Sequence, residues 1–109
     1  TDAQRDVFNR ALAAGVPITF GTDAAVYPHG DNARQFSIMV KHGMSPMQAI
    51  KSATSIAAKY IGWGESAGSI KKNFLGDLIA IKKNPLEDIS VLENVDIVVK
   101  GGVVVKGMK

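Results

Sequence analysis

A chain of 109 residues that is 46% hydrophobic holds one domain's core at most, and the absence of cysteine excludes disulfides and a thiolate metal site. The formal net charge of +3 rests on scattered lysines, with Arg5, Arg10 and Arg34 as the only arginines, so a solvated basic surface is favoured over a nucleic-acid partner. No apolar run approaches the length of a membrane span and no signal peptide is visible, so no membrane partner is expected.

Thr1 stands first rather than Met, and a helix signal follows almost at once. Residues 2–14 read as that helix. Asp2 is its cap, Val7, Phe8, Ala11 and Leu12 share one face, and Gly15 ends it as a left-handed cap. Residues 16–21 then read as a strand buried on both faces, because apolar and β-branched residues follow one another without alternation. Gly21-Thr22-Asp23 puts a carboxylate at the strand's end. A loop over 24–31 follows, carrying Tyr27, Pro28, His29 and Gly30.

Asp31 or Asn32 caps a second predicted helix, roughly 32–42, with Phe36, Met39 and Val40 on its inner face and Gly43 as its stop. Ser45-Pro46-Met47-Gln48 has the form of a capping box, with Pro at the first helical position and Gln at the third. The helix it opens is expected to run to about Ile61. Ile50, Ala53, Ala57, Tyr60 and Ile61 face inward, and Lys51, Ser52, Ser55 and Lys59 face outward.

After Gly62 the pattern changes to short β runs: Ser69-Ile70, Leu78 to Ile81, Val95 to Val99 and Val103 to Val105. Asn84-Pro85 marks a turn, Leu86 to Leu92 a short helical turn, and Gly101-Gly102 a two-residue hairpin. The fold class is α/β. A boundary near residue 63 divides an α/β part, 1–63, from a small β unit, 64–109. Four short strands bury too little to stand alone, so the unit is expected to need partner strands from a missing N-terminal part.

These residues, taken in order, resemble the C-terminal end of the amidohydrolase superfamily, nearest to its imidazolonepropionase-like and Xaa-Pro dipeptidase (prolidase-like) enzymes. The matching text is Ala14-Gly15-Val16-Pro17-Ile18, Gly21-Thr22-Asp23 and Pro28-His29-Gly30-Asp31-Asn32, then Gly43-Met44-Ser45-Pro46, Ala53-Thr54 and Gly68-Ser69-Ile70. It closes with Gly76-Asp77-Leu78-Ile79-Ala80, Asn84-Pro85-Leu86-Glu87-Asp88-Ile89 and Val99-Lys100-Gly101-Gly102. The ordered series carries the resemblance; Gly-Thr-Asp alone would not.

The resemblance implies a fragment of a (β/α)₈ TIM barrel, comprising its last strand and flanking helices, plus part of a small β-sandwich made from both chain ends. It implies a hydrolase of amide or peptide bonds, dipeptidase-like, using one or two divalent metals, usually zinc. Asp23 would be metal ligand and catalytic base. On spacing alone, a loop carboxylate satisfied by backbone amides is the simpler reading of Asp23; the resemblance puts ligand and base ahead. The family's His-x-His pair, its lysine or glutamate and two further histidines have no counterpart here, where the histidines are His29 and His42. This chain alone is therefore expected to be inactive and to hold zinc weakly.

His29 is a candidate substrate contact at the site mouth or an exposed loop histidine. His42 reads as structural, at a helix C-terminus where its cation would suit the dipole. Trp63 reads as packing at the domain junction. The sequence departs from the family at Lys71-Lys72-Asn73-Phe74-Leu75, where a Pro-Gly turn is usual, and at Gln35, where an acid is usual. Expected partners are a small-molecule or dipeptide substrate and the rest of the same protein. A homo-oligomer and the compartment are left open, with the cytoplasm favoured if no signal peptide precedes. The alternative from another class is a non-catalytic α/β interaction module.

Overall fold

The structure is a computed structural model that describes residues 2–22 and 31–107. The first helix, α1 (Asp2–Ala13), ends as its sequence requires. Gly15 takes a φ of +75°, its N–H donates to the Leu12 carbonyl at 3.1 Å, and the Val16 N–H reaches back to Ala11 at 3.0 Å. That pair of bonds is a Schellman closure, which a Cβ-bearing residue adopts only at a cost. The same closure stops α2 (Arg34–Lys41), where Gly43 donates to Val40 and Met44 to Met39.

The capping box forms as expected at the start of α3 (Pro46–Ala53). The Gln48 amide donates to Ser45 Oγ at 3.1 Å, and the Ser45 amide donates to Gln48 Oε1 at 2.9 Å. The single helix expected through Ile61 is instead two. The chain breaks at Thr54, with φ −125° and ψ −96°, and resumes as α4 (Ser55–Tyr60). The Thr54 hydroxyl donates to the Ile50 carbonyl at 2.8 Å. Gly68 lies against the break, so close that an added Cβ would stand 2.7 Å from the Thr54 oxygen.

The break changes which residues are inside. Ser52, expected outside, is fully buried, its hydroxyl donating to the Ala49 carbonyl at 2.6 Å. Tyr60 and Ile61, expected inside, are exposed. Met39, Met44 and Ala49 form the core, with Phe8, Leu12, Ile18, Phe20 and Phe36 packed around them.

Beyond residue 63 the chain makes a three-stranded antiparallel sheet in the order β1 (Leu78–Ala80), β2 (Ile97–Lys100), β3 (Val103–Lys106). Leu78 faces Val99 and Ala80 faces Ile97; β2 and β3 meet across Gly101-Gly102, with a bulge at Val98/Val99. Both glycines have positive φ, +58° and +78°, which suits a two-residue turn between strands. The turn is tied to the start of β1, since Gly102 donates to the Gly76 carbonyl and Gly101 to Asp77 Oδ1.

The expected helical turn near Leu86–Leu92 is a 3₁₀ turn over Ile89–Glu93, which buries Ile89 and Leu92 and packs on α2. Ser69-Ile70 forms no strand; Ile70 is 89% exposed. Residues 16–21 form no paired strand either. A parallel strand is held by neighbours on both sides, and none is present among the described residues.

The molecule exposes more surface than its mass accounts for. A compact monomer of 11.6 kDa exposes about 5,800 Å² on the usual scaling, and this chain exposes 7935 Å². Val7, Trp63, Ile79 and all three valines of β3 contribute to the excess.

Candidate functional site

Asp23 and His29, the two predicted site residues, lie outside the described residues, as does Tyr27. What the structure does place is the pair of residues between which that segment starts and ends. The run leading to it is fastened at every second position. Ile18 packs on the core. The Phe20 N–H donates to the carbonyl of buried Ser52 at 2.9 Å, and its ring meets Phe36 at a centroid distance of 4.5 Å. Thr22 donates its hydroxyl proton to Asn32 Oδ1 at 3.2 Å. Pro17, Thr19 and Gly21, between them, are exposed. The run therefore has one anchored side and one open side, the alternation of an extended chain.

Asn32 does not cap α2 as expected. Its side chain is taken by Thr22, and the residue flanking α2 is Ala33, with no side-chain cap. Its backbone carbonyl still receives the Gln35 N–H at 3.2 Å, so Asn32 serves both the entry to α2 and the Thr22 contact. Sequence reading missed the pair because the bond joins residues ten apart. The one available signal was a Thr after the strand and an Asn before the helix.

Asn32 also lines an apolar cavity of about 450 Å³ between the helices and the sheet, with Phe20, Phe36, Ile50, Ile79 and Leu92 among its walls. His42 is elsewhere. It is the half-buried residue closing α2 and lines a shallow cleft of about 350 Å³ with Arg5, Phe8 and Gln35. Trp63, expected to be packed, is 53% exposed.

Among the described residues no three His, Cys, Asp or Glu side chains converge to hold a metal ion. Several carboxylates there are already engaged: Asp77 with the Gly101 amide, Asp88 with Ser90, and Asp96 with Lys82. Asp88 is held below the usual carboxylate range by the Ser90 hydroxyl at 2.6 Å and then by the Ser90 amide at 3.0 Å. These donors favour the ionised form, and the group belongs to a turn cap rather than to a site. The described residues do not by themselves fit a metal, and a complete cage needs ligands they do not supply.

Known proteins resemble this chain along nearly its whole length. The model of the amidohydrolase family matches residues 2–105. Ochratoxinase from Aspergillus niger is 38% identical over 111 residues, which cover 97% of this chain and 23% of that protein. The structure of a Xaa-Pro dipeptidase with methionine bound in its active site is 51% identical, with a TM-score of 0.92, covering 94% of this chain and 25% of that one. A prolidase complexed with N-methylphosphonate-L-proline is 30% identical, with a TM-score of 0.86, over 95% and 26% of the two chains. The chain thus spans about a quarter of the length of these relatives.

Proposed function

The chain belongs to the amidohydrolase family, and on that premise we propose that it is the C-terminal part of a metal-dependent hydrolase cleaving an amide or peptide bond, dipeptidase-like in its substrate. The match to the Xaa-Pro dipeptidase, close in both sequence and backbone, is the observation that carries the reading. The remaining parts of the enzyme would come from polypeptide outside residues 1–109. The surplus of exposed apolar surface supports that dependence.

On this reading residues 16–21 are the last strand of a (β/α)₈ barrel. Ile18, Phe20 and Thr22 lie toward the helices, and the exposed side at Thr19 and Gly21 is the one that barrel neighbours would cover. The sheet β1–β3 is part of a small β-sandwich, and the division between the two units falls near residue 63. Ligands and catalytic groups in barrels of this kind sit at the C-terminal ends of strands, where Asp23 stands in the sequence.

Asp23 is then one ligand of a divalent metal, zinc by resemblance, whose other ligands lie outside the chain. The metal's contribution would be to make water acidic enough to ionise near neutral pH. The Asp23 carboxylate takes a proton from the attacking water and returns it to the leaving amine. His29 would contact substrate from the following loop.

A chimera tests the proposal. Residues 1–109 replace the matched quarter of the Xaa-Pro dipeptidase, and hydrolysis of Xaa-Pro dipeptides is measured. A folded, active chimera supports the hydrolase. A folded chimera that holds its metal and is inactive favours a non-catalytic interaction module.

A further inference from the structure

We propose that the apolar cavity between the helices and the sheet is the seat of an apolar segment of the same polypeptide, from outside residues 1–109, which wedges the sheet part against the helical part. The inference rests on the reading above that the chain is one part of a longer hydrolase. It adds where, and by what chemistry, the outside polypeptide takes hold.

Both parts of the chain build the walls. Phe20, Phe36 and Ile50 come from the helical part, and Ile79, Ile81 and Leu92 from beyond residue 63. The main contact between elements of the two parts is that of α2 with the 3₁₀ turn over Ile89–Glu93. The cavity thus lies where the two parts face each other without filling the space between them. It is open to solvent, since Ile79 stands in its wall and is 51% exposed.

The lining selects what can enter. Its polar side chains are engaged: the Thr54 hydroxyl donates to the Ile50 carbonyl at 2.8 Å, and Asn32 Oδ1 accepts from Thr22 at 3.2 Å. No described residue of the wall carries a charge. A water molecule settles in a cavity where about two to four polar partners meet it, and a polar ligand would lose its hydration here without replacement. An apolar occupant loses nothing and covers the walls.

Size and supply point to polypeptide. A cavity of about 150 Å³ takes a benzene ring, so one of about 450 Å³ has room for roughly three large aliphatic or aromatic side chains. Such a set is what one face of a short strand or helix presents. This chain spans about a quarter of the length of the relatives it matches, which leaves most of such a polypeptide at hand to supply it.

Photo-cross-linking in the chimera tests the proposal. Ile79→4-benzoylphenylalanine places the probe where exposure leaves room for it, and Ile81→4-benzoylphenylalanine is the second variant. After irradiation, the denatured mass and peptide mapping identify what the cavity held. The expected result is cross-links to apolar residues outside 1–109, at the mass of one polypeptide. Cross-links confined to residues 1–109 would overturn the proposal. So would a product of twice the mass, which assigns the cavity to a second copy, or an adduct with a small hydrophobic molecule. No cross-link from either position would overturn it too, since the cavity would then face water. If one variant does not fold, the other decides by the same criteria. Activity of the parent chimera keeps the two readings apart. If that chimera is active and the cross-links stay within residues 1–109, the hydrolase reading stands and the wedge falls. If it is folded, metal-loaded and inactive with cross-links to the outside, the wedge stands and the catalytic reading falls.

Discussion

Asp88 and Gly68 show how much single positions are asked to do outside the candidate site. Asp88 receives two donors from Ser90, and Lys83 adds a favourable charge, so its carboxyl is held below the ordinary range despite a small opposing desolvation. A carboxylate whose folded value is depressed stabilises the fold above its unfolded value, and the stabilisation is lost as pH falls through the folded one. The 3₁₀ turn over Ile89–Glu93 should therefore loosen only in acid. Ser90→Ala should move the Asp88 midpoint up toward the ordinary carboxylate value, read by carboxyl NMR titration in the chimera. An unchanged midpoint would mean that the Ser90 hydroxyl does not set it. Gly68 is constrained by space as well as by backbone. Its φ is +87°, and an added Cβ would meet Ala58 Cβ and the Thr54 oxygen at 2.7 Å each. Gly68→Ala should destabilise the chimera by about 1–3 kcal/mol, measured by denaturant unfolding.

At the scale of elements, what the sequence revealed and what it concealed follow the range of the interactions. The capping box at Ser45 was legible because both of its bonds lie within four residues. The hairpin at Gly101-Gly102 and the glycine ends of α1 and α2 were legible for the same reason. Ser45→Ala should cost about 1 kcal/mol of unfolding free energy, with Gln48→Ala adding little to it, since each side chain serves the same end of α3. The break at Thr54 was not legible. Gly68, fourteen residues away, packs against it, and buried Ser52 accepts a backbone hydrogen bond from Phe20, far back in the chain. Residues 16–21 have the composition of a strand covered on both faces, and the described residues cover one of them. At the site, Asp23 and His29 rest on sequence resemblance, while Thr22 and Asn32 emerge only when residues ten apart are seen together.

At the scale of the whole molecule, the governing fact is the surface left uncovered. The accessible area is 7935 Å², against about 5,800 Å² for a compact chain of this mass. Its apolar members occur on α1, around Trp63 and on both faces of β3. The coverage of about a quarter of each relative agrees with that surplus. Residues 1–109 alone should bind less than one equivalent of zinc by elemental analysis after dialysis. Tight, stoichiometric binding by the isolated chain would contradict the dependence on outside ligands.

On the proposed reading, this chain supplies Asp23 to a hydrolytic site assembled with the rest of an amidohydrolase. Replacing Asp23 with Asn in the chimera, and measuring kcat/KM on a Xaa-Pro dipeptide at matched folding and metal loading, tests it most directly. A fall of about 10²- to 10⁴-fold is expected. A variant within twofold of the parent would contradict it.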